Sequence, residues 1–200
     1  MATPTSSRRR FLLGLGLAPA LLVVGDSISA AYGLPPTKGW VSLLKARLAT
    51  EQYPHRVINA SISGDTTAGG NARMSTLLKE YKPAIVVIEL GGNDALRGLP
   101  LKQTEANLAA MTRAAKAAGA RVVVVGMQVP PNYGRQYVND FAAVFANVAK
   151  SEGVALVPFL LKGVDDVEAM FQADRIHPKE TAHPVMLGNV WPVLRPLLPR

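Results

Sequence analysis

The chain has 200 residues, 48% of them hydrophobic and 18% charged, with 17 glycines, 15 prolines and no cysteine. That is one domain's worth of sequence with enough apolar content to bury a core, and the missing cysteines exclude disulfides, thiolate-bound metals and a cysteine nucleophile. The net charge of +8 includes a block at Arg8, Arg9 and Arg10; the other basic residues are scattered without interleaved aromatics, so nucleic acid is not an expected partner.

Residues 1–20 read as an address. A polar start leads to the basic block, an apolar core over 11–17, and Ala18-Pro19-Ala20 in an A-x-A cleavage pattern, the layout of a secretory signal. Ser7-Arg8-Arg9 followed by Phe11-Leu12 also resembles a twin-arginine signal. A signal implies a periplasmic or secreted protein; a polar tail running straight into the first strand implies a cytoplasmic one. The longest charge-free apolar stretch, residues 11–25, has 15 residues, short of the roughly 20 that a spanning helix needs.

From residue 21 onward, strands and helices alternate. Short apolar or β-branched runs at 21–25, 56–60, 84–90, 121–126 and 155–159 lack polar alternation, as strands covered on both faces do. Helical patterns fall at 40–50, 68–81, 101–118, 137–151 and from about 181. Gly119 suits the end of the third helix, and Pro192 and Pro196 should kink or shorten the last. The alternation predicts an α/β fold: a five-stranded parallel sheet between two helical layers, as one domain over 21–200.

In such a sheet ligands gather at the carboxyl ends of the strands. Following the five strands in turn are Gly25-Asp26-Ser27, Ser63-Gly64-Asp65, Gly91-Gly92-Asn93-Asp94, Pro130-Pro131-Asn132-Tyr133-Gly134 and, further on, Asp174-Arg175-Ile176-His177. Topology alone puts these on one edge, where they form the parts of an acyl-transfer site. Ser27 needs a base to take its proton, and His177 can serve, with Asp174 fixing the other imidazole nitrogen. The backbone N–H groups of Ser27 and Gly64 and the amide of Asn93 are suitable oxyanion donors. Leu96, Leu99 and Tyr133 are candidate substrate-pocket residues by position.

Each residue also has a plainer reading. Asp26 or Ser27 could cap a helix, while Gly64 and Asn93 are ordinary turn residues. His55, beside Pro54, reads as a surface loop residue. His183, near a helix start, reads as solvated and as a rival base. Asp26, Asp65 and Asp94 lack a second well-placed histidine, so no metal is expected. The loop after the first strand lacks the glycine spacing of a nucleotide-binding loop, and no G-x-S-x-G elbow occurs.

Taken together, Gly25-Asp26-Ser27, Gly64, Gly91-x-Asn93-Asp94 and Asp174-x-x-His177 resemble the SGNH (GDSL-type) hydrolase family. Gly91–Gly98 and Pro130–Gly134 look like its bacterial periplasmic arylesterase and acyl-CoA thioesterase I/lysophospholipase branch. The resemblance implies a flavodoxin-like sheet in the order 2-1-3-4-5 and a cofactor-free Ser27–His177–Asp174 triad. It also implies a small-molecule acyl ester or thioester as substrate, with a monomer expected. Two positions depart from the family pattern: Ile28 replaces the usual Leu, and Arg175 stands where Gly is common. A carbohydrate O-acetylesterase and an inert binding module of the same fold are the alternatives.

Overall fold

Five short runs rich in valine and isoleucine pair into one sheet, in a computed structural model that describes residues 18–198. The strands are β1 Ala20–Gly25, β2 Arg56–Asn59, β3 Ile85–Glu89, β4 Arg121–Val125 and β5 Ala155–Val157. Their order is β2-β1-β3-β4-β5, and every neighbouring pair is parallel. Helices α1 Trp40–Thr50, α2 Thr67–Tyr81, α4 Leu101–Ala117, α5 Arg135–Glu152 and α6 His183–Leu194 flank the sheet, with a one-turn α3 at Gly92–Leu96 after β3. Both the topology and the layering match the sequence expectation. Residues 1–17, which hold most of the expected signal, lie outside the described residues, and no described helix is long and apolar enough to cross a membrane.

The burial pattern follows the topology. The inner strands β1 and β3 are buried along their whole length, as continuous apolar runs should be. Strand β2 is different: Val57 and Ile58 are only half-buried and the strand ends are exposed. The helical layers cover this edge strand incompletely, which corrects the expectation of cover on both faces; at the opposite edge β5 is likewise half-buried at Ala155 and Leu156. Trp40, Phe141 and Phe145 are among the largest fully buried side chains. Pro192 is accommodated inside α6, and the chain leaves that helix in a 3-10 turn, Arg195–Leu197, that contains Pro196.

Two histidines depart from their sequence reading. His55 is buried rather than on the surface, and neither ring nitrogen meets a hydrogen-bond partner. Burial, with the Arg121 charge nearby, lowers its pKa. His183 is also buried, and its Nδ1 accepts from the Trp40 backbone N–H at 3.0 Å. Gly39, at the N-cap of α1, has no side chain to give, so His183 satisfies an N–H that the helix leaves free. Burial lowers its pKa as well. It caps a helix and is no rival base.

Where β4 ends, the chain passes β5 too closely for any side chain. A Cβ on Gly126 would lie 2.2 Å from the Pro158 carbonyl oxygen, a backbone atom. Gly126→Ala must therefore push β4 and β5 apart at the edge of the sheet. The expected cost is about 2 kcal/mol, measured by urea denaturation; unchanged stability would contradict the close approach.

Candidate active site

Parallel pairing brings the ends of β1, β2 and β3 side by side, so the loops that follow are neighbours. The loop after β1 is a tight turn, not the start of a helix: Asp26 O accepts from Ala30 N, and Ser27 O from Tyr32 N. Asp26 Oδ1 accepts from the Ile28 N–H at 3.0 Å. Neither Asp26 nor Ser27 is a helix cap, and the turn directs the Ser27 hydroxyl to His177 Nε2 at 2.9 Å.

The segment that carries His177 folds back on itself, with an isolated antiparallel bridge between Phe171 and Pro178. Asp174 Oδ1 accepts from the backbone N–H groups of Ile176 and His177 at 2.9 and 3.0 Å. Its Oδ2 lies 2.6 Å from His177 Nδ1. The His177 N–H and ring, followed by the Ile176 N–H, hold the Asp174 carboxyl at a pKa of about 2, so it is ionised at neutral pH. Arg175, inside this turn, has φ 58°. That left-handed backbone costs a non-glycine residue about 1 kcal/mol, which explains why glycine is common there. The Arg175 side chain reaches out to Glu168 at 2.8 Å, with both groups exposed.

The His177 segment is clasped to the Ser27 loop at four points. Besides the Ser27–His177 contact, Gln172 Nε2 donates to Tyr32 O at 2.8 Å. Lys38 pairs with Glu180 at 2.8 Å, and the Trp40 N–H donates to His183. The Tyr32 ring also lies on the His177 ring, with centroids 4.4 Å apart.

The three expected oxyanion donors differ in their engagement. The backbone N–H groups of Ser27 and Gly64 meet no acceptor among the described residues, and Gly64 takes a left-handed φ of 79° that turns its peptide out of the loop. The Asn93 amide is already in use: it donates to Asp26 Oδ2 at 3.1 Å and to Asp65 O at 2.9 Å. An oxyanion at Asn93 would share a proton with one of these. The first two are open, and the third is a bridge.

The other acids of the edge are individually occupied. Asp65 pairs with Arg73 at 2.8 Å, and Arg73 also donates to Ala60 O. Asp94 is buried and accepts from the Thr67 N–H and hydroxyl and from Thr104. Burial raises the Asp26 pKa to about 6 against the pull of its donors. Glu89, fully buried at the end of β3, is pushed further above the carboxylate range by burial and by Asp26; its Oε2 accepts from the Ser29 hydroxyl at 2.6 Å.

Around the triad, Leu96 is exposed and Leu99 half-buried on the loop after β3. Tyr133, exposed, stacks on Tyr137 and not on a triad residue. Tyr32, Arg73 and Glu89 belong to the site but carry no sequence signal of their own: each is an unremarkable residue of a loop, helix or strand until the fold packs it against the edge.

Comparison with known proteins gives the same assignment throughout. The profile of the GDSL-like Lipase/Acylhydrolase family matches residues 23–185. The chain is 59% identical over 181 residues to Esterase TesA of Pseudomonas aeruginosa, covering 90% of each protein. It is 40% identical over 181 residues to Thioesterase 1/protease 1/lysophospholipase L1 of Escherichia coli K12, covering 90% of this chain and 86% of the relative. A crystal structure of TesA superposes with a TM-score of 0.88 at 59% identity, over 90% of this chain and 99% of that one.

The depressed pKa of Asp174 has a consequence for stability. A carboxyl whose pKa falls on folding contributes above its unfolded value, near 4, and loses that contribution as pH falls toward 2. The side chain is 39% exposed, so screening limits the contribution to under about 1 kcal/mol. Asp174→Asn should therefore be slightly less stable than the parent in chemical denaturation at pH 6, with the gap closing by pH 2.5. A gap that widens on acidification would contradict the hydrogen-bond assignment.

Proposed function

The chain belongs to the GDSL-like lipase/acylhydrolase family and is an ester hydrolase, and on that premise we propose that Ser27, His177 and Asp174 carry out acyl transfer on acyl esters and thioesters. The continuous Ser27–His177–Asp174 hydrogen-bond chain is the observation that carries this reading. His177 Nε2 takes the hydroxyl proton as Ser27 Oγ attacks the acyl carbonyl. The proton stays on Nδ1, whose N–H donates to the ionised Asp174 carboxylate, and the carboxylate orients the ring and stabilises the imidazolium. The N–H groups of Ser27 and Gly64 receive the oxyanion, and Asn93 adds a third donor by sharing a proton. His177 then protonates the leaving alcohol or thiol, and water enters along the same route to release the acid.

Leu96, Leu99 and Tyr133 supply apolar surface for the acyl group, which favours an acyl chain over a carbohydrate acetate. Turnover of p-nitrophenyl acetate, longer acyl esters and acyl-CoA compared side by side tests that preference. The site is complete within one chain, in keeping with a monomer. Residues 1–20 direct export to the periplasm or beyond, and 21–200 form the working domain. Ala20 is buried as the first residue of β1, with its carbonyl accepting from the Ala84 N–H, so a cut after Ala20 would remove a paired strand residue.

Two experiments test the roles. A fluorophosphonate probe should label Ser27 alone, and Ser27→Ala should abolish turnover in a folded protein. Labelling elsewhere, or an active Ser27→Ala variant, would falsify the nucleophile. Asn93→Ala should lower kcat about 10²–10³-fold with little change in KM. It should also cost about 1–2 kcal/mol of stability, because Asp26 and the Asp65 carbonyl lose a donor. Lost stability with a normal kcat would reduce Asn93 to a bridge.

A further inference from the structure

Large exposed hydrophobic side chains are not spread over this molecule. Among the described residues there are six, Tyr32, Ile62, Leu96, Tyr133, Val167 and Ile176, each 36–52% exposed. Every one stands in a segment between the end of a strand and the next long helix, at the edge that holds Ser27. All five strand ends contribute, so apolar residues occur along the whole row of strand ends, β2-β1-β3-β4-β5, that carries the triad.

Contacts tie these residues to the triad. Tyr32 lies on the His177 ring, and Ile176 sits within the turn that connects Asp174 to His177. The loop of Leu96 is joined to that of Gly64 and Ile62 by Arg97, which donates to Gly64 O at 2.8 Å. Val167 precedes Glu168, the partner of Arg175. One acyl chain in a pocket does not need apolar side chains on all five loops; a surface laid across the mouth does. Exposed apolar patches rimmed by polar residues mark such contacts.

The charges at this edge select the kind of surface. Lys38, Arg97, Lys162, Arg175 and Lys179 are exposed on these segments, and so are Asp165, Asp166, Glu168 and Glu180, with Lys38–Glu180 and Arg175–Glu168 already paired. Mixed charge of this sort gives no strong pull toward an anionic bilayer and fits headgroups that carry both signs.

We propose that the apolar rim docks the mouth of the site on aggregated zwitterionic amphiphiles, a lysophospholipid micelle or membrane surface, so that acyl substrate enters from that surface. This rests on the ester-hydrolase site above and names where its substrate comes from. Ile62 and Val167 have no part in the acyl-transfer steps, so they can be changed without touching the chemistry.

The test uses the full chain and the double variant Ile62→Ser, Val167→Ser. Hydrolysis of a myristoyl lysophosphatidylcholine is followed across its critical micelle concentration, with p-nitrophenyl acetate as the monomeric control. The parent rate should break upward by about fivefold or more as micelles form, because docking scales with buried apolar area. In the double variant the break should largely vanish while p-nitrophenyl acetate turnover stays within about twofold, as expected for surface changes outside the site. Smooth saturation through the critical concentration, an equal break in the variant, or no hydrolysis of the lysolipid would each overturn the docking while leaving the esterase reading in place. Loss of acetate turnover in the parent would instead overturn the site itself.

Discussion

A single side-chain amide holds together the loops on which this site depends. Asn93 grows from the short α3 after β3, and its two amide hydrogens go to Asp26, beside Ser27, and to Asp65, beside Gly64. The ends of β1, β2 and β3 would otherwise be separate loops, each free to settle its own geometry. With the amide in place, the hydroxyl of Ser27 and the two free backbone N–H groups are set relative to one another before any substrate arrives. Preorganised donors are worth most when nothing has to move to use them. Arg73 repeats the device one layer lower, joining Asp65 to the carbonyl of Ala60.

That arrangement requires charge to be buried beside Ser27. Asp26 is almost wholly inside the protein, and Glu89 lies fully buried behind it. Two carboxylates this near cannot both ionise cheaply away from water. Burial and the Asp26 charge push Glu89 well above the carboxylate range, while Asp26 has the Ile28 and Asn93 donors and the His177 charge to favour its anion and is the one placed to ionise. The anion then sits where it orients the Asn93 amide, and the neutral acid sits where the Ser29 hydroxyl reaches it.

Much of this was legible in the sequence because it depends on local pattern. Strand runs, helix periods and the chemistry of Ser27, Gly64, Asn93, Asp174 and His177 are written at short range, and parallel topology gathers strand ends on one edge whatever the details. What sequence could not give depends on contacts between distant segments. His183 looked like a solvated histidine because its partner, the Trp40 N–H, is 143 residues away. His55 looked exposed because Pro54 marks a loop, yet both it and Tyr53 are buried, with their ring centroids 6.4 Å apart. The engagement of Asn93 was equally hidden, since a free amide and a bridging amide have the same letter. Strand β2 misled for a related reason: an apolar run says that a strand is buried somewhere, not that helices cover both its faces.

The clasp between the Ser27 loop and the His177 segment gives acid a particular point of attack. His183 is neutral in the folded protein, its Nδ1 lone pair committed to Trp40, and burial lowers its pKa below the ordinary 6.5. The unfolded chain therefore takes up that proton first, and the contribution of this fastening is full above 6.5 and drains away as the pH falls. Asp174 keeps its charge down to about 2. In a slowly acidifying compartment the far end of the clasp is undermined while the carboxylate that steadies His177 is still intact, so the hinge corrodes before the lock.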